Sequence, residues 1–189
     1  MVFQRLITKA STERNVAIAG FVFFTTYAIL LRTNAAFFPE NPLAFATDFS
    51  LPIGYLAEDI FSAEVNPLVL VAVTIVNLVS IVSLGFLQAA TIAWAHEAVL
   101  GAGKTGAWVM FPYVNVLHHS VESVLCSGAI LTDNEDYADL ASFLALNRTL
   151  FLRFTLLVTA IAAFVFARGW STSIGRDGRQ KIEKKDKKQ

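Results

Sequence analysis

Four stretches of the chain are almost free of charge and long enough to form membrane-crossing helices, and the segments between them are polar. Residues 15–31 carry no charge over 17 residues and lie between Arg14 and Arg32. That is the shortest helix able to cross a hydrocarbon core about 30 Å thick. Residues 68–95 carry no charge over 28 residues and follow Asn66-Pro67; a helix there is about 42 Å long and must tilt or protrude from the bilayer. Residues 107–131 follow the turn Gly101-x-Gly103-x-x-Gly106 and are apolar except for a central polar cluster. Residues 149–167 hold one charge, Arg153, and stop at Arg168-Gly169-Trp170, with the indole at the depth where interfacial aromatics gather. The pattern predicts an all-α, polytopic membrane protein. Its residues 1–170 would form a four-transmembrane-helix bundle with spans at about 15–31, 68–95, 107–131 and 149–167.

The connections set the expected topology. The N-terminal arm, the segment between the second and third spans, and the C-terminal tail together hold 12 of the 15 Lys and Arg residues against five acids. The other two connections hold Arg32 and Arg148 against nine acids: Glu40, Asp48, Glu58, Asp59, Glu64, Asp133, Glu135, Asp136 and Asp139. Basic residues near helix ends stay on the cytoplasmic side or its matrix or stromal equivalent. Four crossings give this alternation and place both termini inside, whereas three or five would carry the basic tail to the acidic side. The 36-residue connection from Arg32 to Pro67 is too long for a turn. It is expected to form an outer-surface cap between the first two spans, with Leu56, Ile60, Phe61 and Val65 against Glu58, Asp59 and Glu64 as a short amphipathic helix. Residues 171–189 are basic and poor in apolar residues, so they are expected to be disordered or held by anionic lipid headgroups or a partner.

Composition agrees with a membrane class: 55 % of residues are hydrophobic and 16 % charged, far from the balance of a soluble domain. The segregated charge carries no nucleic-acid signature. The single Cys126 excludes an internal disulfide. The first apolar run lacks a small-x-small cleavage site and is therefore expected to be a mature helix and not a signal peptide.

The candidate chemistry lies in the third span. His118, His119 and Glu122 fall near its centre, where ionisable groups are costly and face a bundle interior, a pathway or a partner. His118 and Glu122 are spaced i,i+4 and His119 and Glu122 i,i+3, so either imidazole can share the carboxylate's face. Asn115, His119, Glu122 and Cys126 continue one stripe. The second span offers Asn77, Ser80, Gln88 and Thr91 in a matching line, and the first offers Thr25 and Thr26. The ligand-binding or proton-transfer candidates are thus His118, His119, Glu122, Asn115, Asn77 and Ser80. The bland alternative is that they hydrogen-bond the helices together. Successive helical residues point about 100° apart, so both histidines and Glu122 do not converge easily on one metal ion. His96 and Glu97 belong to the inner end of the second span, roughly 15 Å away. One axial histidine suffices for haem or chlorophyll, while a bis-histidine haem lacks its second ligand.

Three short motifs are set aside. Gly101-Ala102-Gly103-Lys104-Thr105 looks like the end of a phosphate-binding loop, but alanine stands at position 98 and two spans flank it. Asn147-Arg148-Thr149 is a glycosylation sequon against the membrane, and Lys185 to Gln189 match a dilysine retrieval signal. Arg153 is expected to snorkel outward. His118-x-x-x-Glu122 in a four-helix setting is similar to the sterol-isomerase family that binds emopamil, in which a membrane-embedded histidine and carboxylates move a proton. That likeness covers these two residues, and the family is not assigned.

The sequence therefore leads to two functional expectations. One is a non-catalytic subunit of a larger membrane complex, respiratory or photosynthetic in type, contacting the lipid bilayer, other membrane subunits and quinone or pigment. The other is a small membrane enzyme or transporter using the His/Glu site. Whether that cluster lines an accessible cavity or is sealed against another helix separates them.

Overall fold

The computed structural model describes residues 2–37, 66–100 and 106–186, and among them every regular element is helical. The elements are α1 (Val2–Ala10), α2 (Glu13–Phe37), α3 (Pro67–Leu100), a 3-10 turn (Ala107–Met110), α4 (Phe111–Thr132) and α5 (Glu135–Asp186). The expected outer cap, with its helix around Leu56 to Val65, lies outside the described residues.

Local chemistry sets the boundaries. Thr12 Oγ1 accepts from the Asn15 amide at 3.3 Å and starts α2. Asn66 Oδ1 accepts from the Leu68 amide at 2.9 Å, with Pro67 at a helical first position where its missing N–H costs nothing. Between α4 and α5 the chain reverses at Asp133, which adopts left-handed geometry with φ of 51°. Its amide and that of Asn134 both return to the carbonyl of Ala129, so the last turn of α4 is closed in the manner of a Schellman end. Asn134 Oδ1 then caps α5 by accepting from the Tyr137 amide at 3.3 Å.

Several sequence boundaries change. The N-terminal arm contains a helix, α1. α2 begins at Glu13, with Arg14 in its first turn, and runs past Arg32 to Phe37, and α3 extends to Leu100, taking His96 and Glu97 into its last turns. A 3-10 turn precedes α4. The largest difference is at α5: residues 135–147, expected as an acidic outer loop before a span at 149–167, are already helical. The reason is burial, because Ala138, Ala141 and Ala145 face the bundle and are fully enclosed, and small residues of this kind let helices approach closely. Helical backbone also continues through the basic stretch expected to lack structure, as far as Asp186.

Consecutive long helices run antiparallel. Leu30 of α2 meets Leu70 and Val73 at the start of α3; Thr74 and Asn77 of α3 meet Ser127 and Ser123 of α4. At the other end of α3, Trp94 stacks against Phe166 of α5. α3 is central, packed against α2, α4 and α5, whereas α2 packs mainly on α3 among the described residues. Two apolar clusters close the ends of the bundle. One holds Leu30, Leu70, Val73, Cys126, Ala129, Ala138 and Ala141. The other joins Ile7 of α1 to Ala89, Ile92, Ala93, Ala95, Val109 and Ala162. α1 is fixed there through its C-terminal end, since the Trp94 indole donates to the Ser11 carbonyl at 2.9 Å.

Three helical segments, Glu13–Thr33, Pro67–Leu100 and Glu135–Gly169, are long and apolar enough to cross a membrane, consistent with an integral membrane protein. α4 does not join them on composition, because its polar residues dilute an otherwise apolar helix. Those residues point inward: Asn115, His119, Glu122, Ser123 and Ser127 are buried, while Val114, Leu117, Val121, Val124 and Leu131 are exposed. This is the reverse of a surface helix in a water-soluble protein.

Candidate functional site: a buried charge cluster

Between the two apolar clusters lies a polar band. Glu122 and His119 sit on successive turns of α4, spaced i,i+3, and face α5 rather than the outside; they are 2 % and 3 % exposed. Arg148 of α5 meets both. Its Nη1 is 3.1 Å from Glu122 Oε1 and 3.1 Å from His119 Nε2. Guanidinium nitrogens only donate, so Nε2 of His119 accepts and the imidazole carries its proton on Nδ1. Arg148 is itself 7 % exposed. The cluster is thus a sealed carboxylate–guanidinium–imidazole group joining α4 to α5.

On its other side α4 is tied to α3 by hydroxyl and amide contacts. Asn77 Nδ2 donates to Ser123 Oγ at 3.0 Å, and Thr74 Oγ1 and Ser127 Oγ share a hydrogen bond of 2.6 Å. Ser80, Gln88 and Asn115 are buried along the same seam. Asn77 Oδ1, Ser80 Oγ, Asn115 Oδ1 and both side-chain heteroatoms of Gln88 have no protein partner there.

Of the six residues singled out from sequence, five are buried in this band and His118 is not. Its ring lies on the outer side of α4, where Nδ1 donates to the Val114 carbonyl at 2.9 Å and the imidazole stacks on Phe151 at 5.1 Å. The 100° step between neighbours turns His118 out as it turns His119 in. Thr25 is exposed on α2 and Thr26 bonds the Val22 carbonyl of its own helix. Thr91 bonds that of Leu87, so the polar band belongs to α3, α4 and α5, and α2 contributes nothing to it. Arg153 is exposed, as snorkelling requires.

The residue that sequence reasoning missed is Arg148. It was grouped with the acidic outer connection because four acids lie between positions 133 and 139. The available signal was the spacing Ala138, Ala141, Ala145, Arg148, a stripe of small residues ending in a cation on one helical face. The sequon Asn147-Arg148-Thr149 is accordingly part of a helix, with Arg148 buried.

The arrangement restricts the chemistry. The point on which His119 and Glu122 converge already holds the guanidinium, so a metal cation would meet a like charge there. The Nε2 of His119 that would ligate haem iron or chlorophyll magnesium is occupied by Arg148. What the geometry does well is to neutralise a buried carboxylate and fix the relative depth of α4 and α5. These features define the class, a helical membrane protein with an interhelical charge cluster at its centre. No protein family, curated protein or solved structure matches the chain.

Proposed function

We propose that the chain is a non-catalytic integral membrane subunit, crossing the bilayer four times through α2, α3, α4 and α5, that packs into a larger membrane assembly. The observation that carries this reading is the sealed state of the Arg148–Glu122–His119 cluster. Arg148 bonds both Glu122 and His119 in the enclosed interior, where a catalytic or transport site would present them to a cavity. The inverted pattern of α4, apolar outward and polar inward, supports its placement as a fourth span. α2 supports the assembly: among the described residues it packs mainly on α3 and presents Ile18, Phe21, Phe24, Ile29 and Leu31 outward, with Phe21 74 % and Phe24 69 % exposed. This gives a wide apolar face for lipid, quinone, pigment or neighbouring subunits.

Gentle extraction from the native membrane with mass analysis of what co-purifies tests the proposal. Stoichiometric membrane partners are expected, and a stable lone particle would overturn it.

Four crossings also predict that both termini share one side, cytoplasmic, matrix or stromal, opposite the α4–α5 turn. Single cysteines at Lys9 and Asn134 in a Cys126→Ala background should react with a membrane-impermeant maleimide from opposite faces of sealed vesicles. Labelling of both from one face would exclude this topology.

A second reading, proton transfer or ligand binding by a small membrane enzyme or transporter, draws on the unpartnered atoms of Asn77, Ser80, Gln88 and Asn115 along the α3–α4 seam. Arg148→Met combined with Glu122→Leu, which strands neither charge, separates the two. The subunit reading expects a protein that still folds, with assembly as the property affected, whereas the other expects lost activity in a protein that still folds and assembles.

A further inference from the structure

Beside the charge cluster, five buried heteroatoms have no hydrogen-bond partner among the described residues: Asn77 Oδ1, Ser80 Oγ, Asn115 Oδ1, and the nitrogen and oxygen of the Gln88 amide. Their residues are at most 3 % exposed. At about 100° per residue, Asn77, Ser80 and Gln88 fall on one side of α3. Thr74 and Gly85, which meet Ser127 and Val116 of α4 directly, are turned roughly 60–80° from Asn77. On α4, Asn115 likewise shares the side of His119 and Glu122 and is turned away from Val116, Ser123 and Ser127. The unpartnered groups therefore face the axis along which α3, α4 and α5 meet, where α5 places Arg148 and the fully buried Thr155.

The contacts of Asn77 with Ser123 and of Arg148 with Glu122 fix the relative depths of the three antiparallel helices. Ser80 is then level with His119, Asn115 and Thr155 lie a turn further along the axis, and Gln88 a turn beyond them. From Asn77 to Gln88 the polar file is roughly 16 Å long. Left dry, each of its unpartnered atoms carries the full cost of desolvation. Whatever satisfies them must both donate and accept, because Gln88 Nε2 is a donor, Asn77 Oδ1 and Asn115 Oδ1 are acceptors, and the Ser80 hydroxyl is both. A cation would serve the acceptors alone and would sit near the guanidinium of Arg148. An anion would serve the donors alone. Enclosure of all four side chains restricts the occupant to a small molecule, and water has both the size and the chemistry.

We infer that the axis between α3, α4 and α5 binds a file of ordered water molecules that bridge Asn77, Ser80, Asn115 and Gln88. A buried water makes about three hydrogen bonds, so the five atoms call for at least two such molecules. These waters join α3 to its neighbours along the side that direct contacts leave unpaired, and the file ends beside the Arg148–Glu122–His119 cluster. The inference concerns the interior of a single chain and goes beyond the subunit reading. Its outcome leaves the question of membrane partners untouched, and the absence of partners leaves it standing.

Two measurements on the full chain test this. A crystal structure grown from a lipid mesophase, at a resolution that shows ordered water, is expected to place waters within hydrogen-bond distance of Ser80 Oγ, Asn115 Oδ1 and the Gln88 amide. Equilibrium unfolding in mixed micelles is expected to show the unfolding constant of Ser80→Ala and of Gln88→Met raised about threefold or more, because each change takes a partner from bound water. A dry interface predicts the opposite sign: Ala is the better helix former, Met nearly conserves volume, and each change would remove an unsatisfied polar group. The proposal is overturned if the density shows these atoms dry or paired only with protein, or if either variant is as stable as wild type or more so. A larger molecule in that density would also overturn it, in favour of the ligand-binding reading. If neither variant folds, the density of the wild type decides.

Discussion

Replacing Arg148 with Met is expected to destabilise the bundle by about 3–5 kcal/mol, the cost of leaving one member of a buried ion pair without its counterpart. Glu122 would keep its carboxylate 2 % exposed after losing the guanidinium at 3.1 Å, and His119 Nε2 would lose its donor at the same time. Methionine fills much of the volume, so the loss reports charge and hydrogen bonding more than a cavity. The double variant Arg148→Met with Glu122→Leu should recover most of that loss. Replacing both partners of a buried pair by apolar residues of similar size is often neutral or stabilising by about 1–4 kcal/mol. The measurement is equilibrium unfolding in mixed micelles, followed by the fluorescence of Trp94. A loss below about 1 kcal/mol for the single variant, or a double variant no more stable than the single, would show that the cluster does not hold α4 to α5. The double variant also informs function: if it folds but no longer assembles or works, the charges serve recognition or chemistry and not only packing.

Much of the architecture was legible because the bilayer imposes a coarse rule. Uncharged runs of 17 and 28 residues have few alternatives to a helix, and both were found, each longer than its charge-free core. The errors share one physical origin, which is that an exposed charge does not by itself end a helix. Arg32 lies inside α2 and did not end it. Residues 135–147 contain three acids, Glu135, Asp136 and Asp139, yet those side chains share the helix with Ala138, Ala141 and Ala145, which decide the fold by packing against α3 and α4. The hydropathic view dilutes such a segment and loses its inner face. The same averaging hid α1, although Phe3, Leu6, Ile7 and Ala10 have helical spacing in the sequence and Ile7 proves to be buried.

The candidate site shows the same division. That Glu122 would face protein followed from the cost of a carboxylate at mid-depth, independent of any partner's identity. The partner's identity did not follow, since the histidines were the nearest groups in sequence and Arg148 is 26 positions further along. Local spacing could narrow the choice between His118 and His119 only to a pair, because i,i+3 and i,i+4 both reach Glu122. The position of α5 selected His119. A long-range cation of this kind becomes readable once the α4–α5 connection is recognised as a tight turn, for then residues equally far on either side of Asp133 must lie near one another.

Gly85→Leu is expected to cost more than about 1–3 kcal/mol, because α3 and α4 approach closely there. Even a single Cβ at Gly85 would overlap Val116 Cγ2 and lie 3.7 Å from the Pro112 carbonyl oxygen. The sign is informative for the smaller change. In a helix interior Ala is favoured over Gly by about 0.8–1.0 kcal/mol, while overpacking a close contact costs about 1–3 kcal/mol. Gly85→Ala should therefore be neutral to destabilising against its own propensity. Gly20 provides the control within the same protein: it lies in α2, and a Cβ there meets nothing within 4 Å, so Gly20→Ala should be neutral or stabilising. The compensating change is Val116→Ala, which removes the overlapping methyl. Combined with Gly85→Ala it should show a favourable coupling of about 0.5–3 kcal/mol in a double-mutant cycle, as expected for residues in direct contact. If Gly85→Ala and Gly20→Ala stabilise equally, or the cycle shows no coupling, α3 and α4 do not meet at this register. The contacts of Asn77 with Ser123 and of Thr74 with Ser127 share that register, as does the inward placement of Glu122, so all three would then have to be redrawn.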